Sequence, residues 1–170
     1  STISDVRQVE LEDLLGRESV SLDDAGIADW LSGQVVLVTG AGGSIGAELC
    51  RQIARYHPSR LVLLDVSEFA LYSIHQSLSG LFPMLACSAW AADVRDAARL
   101  QEIFRAEQPA VVFHAAAYKH VPLMEDINAW QAIRVNAWGT WQVAQAASAH
   151  GVRRFVLVST DKAVNPTNVM

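Results

Sequence analysis

The run Val35-Val36-Leu37-Val38-Thr39 passes without a break into Gly40-Ala41-Gly42-Gly43-Ser44-Ile45-Gly46, and this junction constrains the fold more than any other feature of the chain. A continuous apolar, β-branched run marks a strand buried on both faces, as in a parallel sheet, rather than one with an alternating wet face. Parallel neighbours need crossover connections, so helices must lie between them. Similar runs at Leu61-Val62-Leu63-Leu64, Ala110-Val111-Val112-Phe113 and Phe155-Val156-Leu157-Val158, with a weaker one over residues 84–91, supply the neighbours. Between them Ile45, Leu49 and Ile53 repeat at helical spacing, and Phe69, Leu71, Ile74 and Leu78 follow Ser67 as an N-cap. Leu100, Ile103 and Phe104 mark a third helix closed by Pro109, and residues 125–150, rich in Ala and Trp, form a fourth that ends at Gly151. The alternation predicts an α/β domain, a doubly wound parallel sheet, over residues 33–170. Residues 1–32 are acidic and weakly periodic; they read as an arm with one short helix, over Val9, Leu11, Leu14 and Leu15, ending at Gly16.

Composition narrows the functional classes. With 51% hydrophobic and 18% charged residues in 170, the chain has the apolar material for one globular core and is too rich in it for a disordered tail. Thirteen Lys+Arg against eighteen Asp+Glu, a net charge of −5, argue against an electrostatic nucleic-acid binder. No apolar run reaches the roughly 18 residues a membrane span needs, and Ser1-Thr2-Ile3-Ser4-Asp5 lacks the basic-then-apolar order of a signal peptide, so a soluble chain is expected. Cys50 and Cys87 stand far apart without metal-ligand spacing, which predicts reduced thiols in a cytoplasmic setting and no metal site.

The glycine loop carries the first chemistry. Glycines after a buried strand permit a tight turn and let backbone N–H groups approach a pyrophosphate, whose charge the following helix N-terminus stabilises. An ordinary strand-to-helix turn is the competing reading, but Gly40, Gly43 and Gly46 stand at a spacing of three between a buried strand and an amphipathic helix, which favours nucleotide binding through Gly40, Gly42, Gly43, Ser44, Ile45 and Gly46. No Gly-Lys-Ser/Thr ending follows, so the loop is not that of a nucleoside triphosphatase. A dinucleotide site needs an acidic residue about 20 positions on, at the end of the second strand, to accept from the adenosine ribose; Asp65 stands there. Its carboxylate would repel a 2′-phosphate, and no Arg adjoins it in Asp65-Val66-Ser67-Glu68, so NAD is expected, with NADP as the alternative.

The loop Thr39-Gly40-x-x-Gly43-x-x-Gly46 resembles that of the extended short-chain dehydrogenase/reductase family. Asp93-Val94 resembles the family's adenine contact after the third strand, His114-Ala115-Ala116-Ala117 its Ala-rich turn after the fourth, and Asn136 its structural Asn. Two longer stretches, residues 115–125 (Ala115 through Lys119-His120 to Glu125) and residues 159–170 (Ser159-Thr160-Asp161-Lys162 to Met170), are similar to the polysaccharide-biosynthesis branch, the nucleotide-sugar 4,6-dehydratases acting on UDP-N-acetylglucosamine. Glu12-Asp13-Leu14-Leu15-Gly16-Arg17 is similar to the segment preceding the catalytic domain in large, membrane-anchored members.

The resemblance implies an NAD(P)-binding Rossmann fold and a set of roles. Asp65, Ser67, Asp93, Val94, Ala115 and Ala116 would contact the cofactor; Lys119, Ser159 and Thr160 would contact a UDP-N-acetylhexosamine. Eliminating water across C5 and C6 of a sugar needs a hydride acceptor for C4, a base for the C5 proton and an acid for the C6 hydroxyl. The family implies Lys162 as that base, Asp161 as the acid, and Thr160 on the C4 hydroxyl; the plain alternative is a solvated Asp-Lys pair in a loop. Met170 stands at the catalytic set's usual Tyr position, as in one branch of the large dehydratases.

The sequence ends at Met170, before the Lys position, the sixth strand and the sugar-binding region that the family carries. The expected reading is therefore a partial domain whose parent is a lyase of surface polysaccharide synthesis, such as capsule or lipopolysaccharide, with the 170-residue chain inactive by itself. An uncovered last strand predicts a homo-oligomer. A UDP-sugar 4-epimerase is the alternative enzyme, disfavoured because epimerisation needs no C5 base, and a non-catalytic nucleotide-binding module is the alternative outside enzymes.

Overall fold

Successive residues of a strand face opposite sides of its sheet, and β1 (Val35–Thr39) is apolar towards both because both are covered. The computed structural model describes residues 24–116 and 134–158. After β1 come α2 (Ser44–Ala54), β2 (Arg60–Asp65), α3 (Glu68–Leu81), β3 (Cys87–Ala91), α4 (Ala97–Glu107) and β4 (Val111–His114). A π-helical turn (Arg134–Trp138) then leads into α5 (Gly139–Ala149) and β5 (Arg154–Leu157), while α1 (Asp24–Leu31) precedes the whole. The five strands are parallel in the order β3-β2-β1-β4-β5, which is the doubly wound sheet the sequence predicts.

Two cores follow from the alternation. Val36, Val38, Leu61, Leu63 and Val111 face α2 and α3, where Cys50, Ile53, Leu71, Ile74 and Leu78 meet them. Leu37, Val62, Leu64 and Val112 face α4 and α5, meeting Leu100, Ile103, Phe104, Val143 and Ala146. α3 is capped as expected, Ser67 Oγ accepting from the Ala70 N–H, and α4 has a cap the sequence reading did not name, Asp96 accepting from the Arg99 N–H.

Several expectations are corrected. The first core reaches back to Leu31 and Ile27 on α1, upstream of the change in texture at Gly33, and Tyr56 donates to Asp24 at 2.9 Å, so the last part of the supposed arm is docked. Ile45 and Phe69 face outward; the buried stripe of α2 is Gly46, Cys50 and Ile53, and that of α3 is Leu71, Ile74 and Leu78. β3 begins only at Cys87, with Met84 exposed before it. β5, apolar in sequence, is half exposed, because among the described residues nothing pairs with its outer edge. The helix of residues 9–15 lies outside the described residues, as does the first part of the Trp-rich helix with Trp130; Trp138 and Trp141 are exposed on its described part. None of the described helices is long and apolar enough to cross a membrane.

Candidate cofactor site

The crossovers from β1 through α2 to β2 cover one face of the sheet, and α5, between β4 and β5, covers the other. The chain therefore departs to opposite sides at the carboxyl ends of β1 and β4, and a crevice opens there, as such sheets require. It holds about 370 Å³ and is lined by Gly40, Gly42, Gly43, Asp65, Ser67, Asp93, Val94, Ala115 and Ala116 among others. That volume lies at the lower end of the range for small-molecule sites.

Gly40 has φ +65°, a left-handed backbone that favours glycine, and a Cβ on it would lie 2.8 Å from the carbonyl of Ala115 and the nitrogen of Ala116. The turn after β1 thus rests directly on the turn after β4. Gly46 is under a harder constraint, since a Cβ there would lie 1.9 Å from the Gly40 carbonyl oxygen. Its absence lets α2 start tight against the loop. Gly43 is the N-cap of α2, and no side chain caps the helix, so an anion could take up the first-turn N–H groups.

Asp65 clamps the crevice from the β2 side. One carboxylate oxygen accepts from the Gly42 N–H at 2.9 Å and the other from the Ser67 N–H at 3.0 Å, tying the glycine loop to the start of α3. Each oxygen keeps a lone pair for a ligand hydroxyl. Beside Asp65, after β3, the Asp93 carboxylate is gripped by Arg95, with Nε at 3.0 Å from both oxygens and Nη2 at 2.5 Å from one. The Arg95 hydrogen bond holds its pKa below the ordinary carboxylate value.

Behind the crevice lies a buried polar chain. Thr39 Oγ1 accepts from the N–H groups of Ala115 and Ala116 at 3.2 and 3.3 Å and stands 2.6 Å from His114 Nδ1. His114 Nε2 is 3.1 Å from Thr140 Oγ1, which donates to the Asn136 carbonyl at 2.5 Å. The imidazole is 1% exposed, and burial pushes its pKa down to about 4.

Of the expected cofactor contacts, Ser44, Ile45 and Gly46 do not line the crevice: Ser44 and Ile45 open the first turn of α2, and Gly46 is buried beneath the loop. Sequence reading missed Leu64, Val66, Ala70, Ala92 and Arg95 as lining residues, and His114 as the hub behind them. Arg95 could have been found two positions beyond Asp93, because β3 lies next to β2 and its end faces Asp65. Lys119, Ser159, Thr160, Asp161, Lys162 and Met170 lie outside the described residues. β5 is bonded at its end by the Val158 N–H to the His114 carbonyl, at the same edge of the sheet. Among the described residues no three His, Cys, Asp or Glu side chains group to hold a metal ion.

Sheet order, glycine turn and strand-end carboxylate together define a domain of the Rossmann class. The family described as polysaccharide biosynthesis protein matches residues 36–170, so the chain belongs to that family, a branch of the extended short-chain dehydrogenase/reductases. It is 48% identical over 99% of its length to the capsular polysaccharide biosynthesis protein CapD of Staphylococcus aureus, covering 28% of that protein. It is 32% identical over 81% of its length to an inverting UDP-N-acetylglucosamine 4,6-dehydratase of Campylobacter jejuni, covering 40% of it. Among solved structures, a UDP-glucose 4-epimerase of Stenotrophomonas maltophila with bound NAD and formylated UDP-arabinopyranose superposes with a TM-score of 0.65 at 26% identity, over 76% of this chain and 38% of that one. The chain thus spans well under half the length of these relatives.

Proposed function

We propose that this chain is the nicotinamide-dinucleotide-binding part of a nucleotide-sugar 4,6-dehydratase acting on UDP-N-acetylglucosamine in bacterial surface polysaccharide synthesis. The observation that carries the cofactor reading is the crevice at the β1/β4 switch point, where Gly40 and Gly46 leave no room for a Cβ and Asp65 holds the loop from the far side. The N–H groups at the α2 N-terminus would take the pyrophosphate, Asp65 the adenosine ribose, Asp93 and Val94 the adenine, and the Ala115–Ala116 backbone the remainder. NAD is favoured over NADP by the Asp65 carboxylate; Arg95, the cation among the described residues that line the crevice, is engaged by Asp93.

The bound nicotinamide would supply the reversible hydride store, taking the hydride from C4 and giving it to C6 once water has left. Thr160 would hold the C4 hydroxyl, Lys162 remove the C5 proton and Asp161 protonate the departing C6 hydroxyl, with Ser159 and Lys119 on the substrate. Support for dehydration comes from the likeness to the Campylobacter dehydratase and from the Thr160-Asp161-Lys162 sequence, which follows β5 directly. A 4-epimerase would share the crevice, as the likeness to the Stenotrophomonas enzyme shows for its fold, but would need no base at C5.

The test uses the full-length protein that contains this chain, NAD and UDP-N-acetylglucosamine in deuterated water. A product lighter by one water with solvent deuterium at C5 is expected, and Lys162→Ala should abolish both. A C4 epimer of unchanged composition would instead establish the epimerase.

A further inference from the structure

The hydrogen-bond chain through His114 has only one arrangement of protons, and both of its ends select it. Thr39 Oγ1 has two lone pairs and one proton; the Ala116 N–H points at one lone pair and the Ala115 N–H, shared with the Thr39 carbonyl at 3.2 Å, at the other, which leaves the proton for His114 Nδ1 at 2.6 Å. At the other end the Asn136 carbonyl can only accept, so Thr140 spends its proton there and turns a lone pair to His114 Nε2. The ring is therefore neutral with its proton on Nε2. Reversing it would break both ends at once, in a site where an unmade hydrogen bond is costly.

The elements joined are those that bound the crevice. Thr39 ends β1, Ala115 and Ala116 line the crevice after β4, Asn136 belongs to the π-helical turn and Thr140 to the first turn of α5. A second contact presses that helix onto the same site, since a Cβ on Gly139 would lie 2.7 Å from Cγ2 of Val94, another lining residue. π-turns inside helices recur at functional sites.

We propose that His114 is a positioning residue, which as the Nε2–H tautomer locks the cofactor-facing Ala115–Ala116 backbone and the π-turn carrying Asn136 into one hydrogen-bonded unit. Its role rests on the cofactor reading given above, whereas the tautomer stands on geometry alone.

Two measurements on the chain separate these. With histidine labelled by ¹⁵N, and the His114 signals assigned by their loss in H114N, the ring should show a protonated Nε2 and a bare Nδ1, unchanged from neutral pH down to about pH 5. A protonated Nδ1, or a ring that titrates near the ordinary 6.5, overturns the proposal. NADH titration followed by fluorescence then reads the role. H114N keeps an acceptor for Thr39 but cannot reach Thr140, and T140V cuts the same link while leaving the imidazole in place; each should weaken NADH binding about tenfold. The double variant should bind no more weakly than H114N alone, because one link is removed twice. Variants that melt earlier yet bind NADH like the parent reduce His114 to a packing residue and overturn the proposal, and T140V decides the matter if H114N does not fold. No NADH binding by the unaltered chain overturns the cofactor reading and with it the role, while the tautomer result still reports on the hydrogen-bond chain.

Discussion

At Gly46 there is no space for a side chain, because the Gly40 carbonyl oxygen lies 1.9 Å from where a Cβ would be. The neighbour is backbone, so the loop itself must move, and Gly46→Ala should cost about 3 kcal/mol or more, read as a shift of the urea midpoint. Asp65 is different, since it has both a ligand-facing and a structural task. Asp65→Asn puts an amide donor against one of two N–H groups that now meet carboxylate oxygens, those of Gly42 and Ser67. NAD affinity should fall about tenfold, and the preference over NADP should narrow, as calorimetric titration with both cofactors would show. Both residues were legible from spacing, the glycine by its place after a buried strand and the aspartate by its distance from it. Arg95 was missed: its signal, a place two positions beyond Asp93, is readable only once β3 is set beside β2 in the sheet.

Among the elements, α4 is held at its start by Asp96, whose carboxylate accepts from the Arg99 N–H, and at its end by Gln108 in a left-handed conformation. Asp96→Ala should cost about 1 kcal/mol of stability and leave NADH affinity unchanged, since Asp96 is not among the residues lining the crevice. The helices between the strands were legible as helices, α4 with its buried face of Leu100, Ile103 and Phe104 in full, whereas α1 was not. The facing of α2 was legible only in part. Its buried stripe begins at Gly46, a residue with no apolar side chain to show it, so the Ile and Leu spacing places Ile53 and Leu49 on the core but wrongly puts Ile45 there as well. Phe69 misled in the same way: it stands two residues before Leu71, about 200° round the helix from the buried stripe at 3.6 residues per turn.

On the scale of the whole molecule, the neutral imidazole of His114 links stability to pH. The folded ring has a pKa of about 4 against 6.5 for a free one, so between those values the unfolded chain binds a proton that the folded chain does not. The contribution is present in full above pH 6.5 and is lost as the pH falls to about 4, a change on the order of 3 kcal/mol. Asp93, with a lowered pKa, acts with the same sign but only as the pH falls below its ordinary 3.8, so the two windows are separate. Urea unfolding followed from neutral pH down to about pH 4 should show the His114 slope, and H114N, with no group to titrate there, should flatten it.

The sequence by itself determined the class of fold, the order of strands and helices, and the position of the glycine turn and its carboxylate, because each is written in local periodicity or in short, fixed spacings. Only the tertiary structure decided that Ile45 and Phe69 lie outside the buried stripes of α2 and α3, that α1 belongs to the first core, and that Thr39, His114 and Thr140 form one chain of hydrogen bonds. Thr39 and His114 are 75 residues apart, and nothing in either neighbourhood marks them as partners. They meet because parallel pairing of β1 with β4 sets Thr39 opposite His114, and a buried hydroxyl and imidazole, once brought together away from water, must satisfy each other.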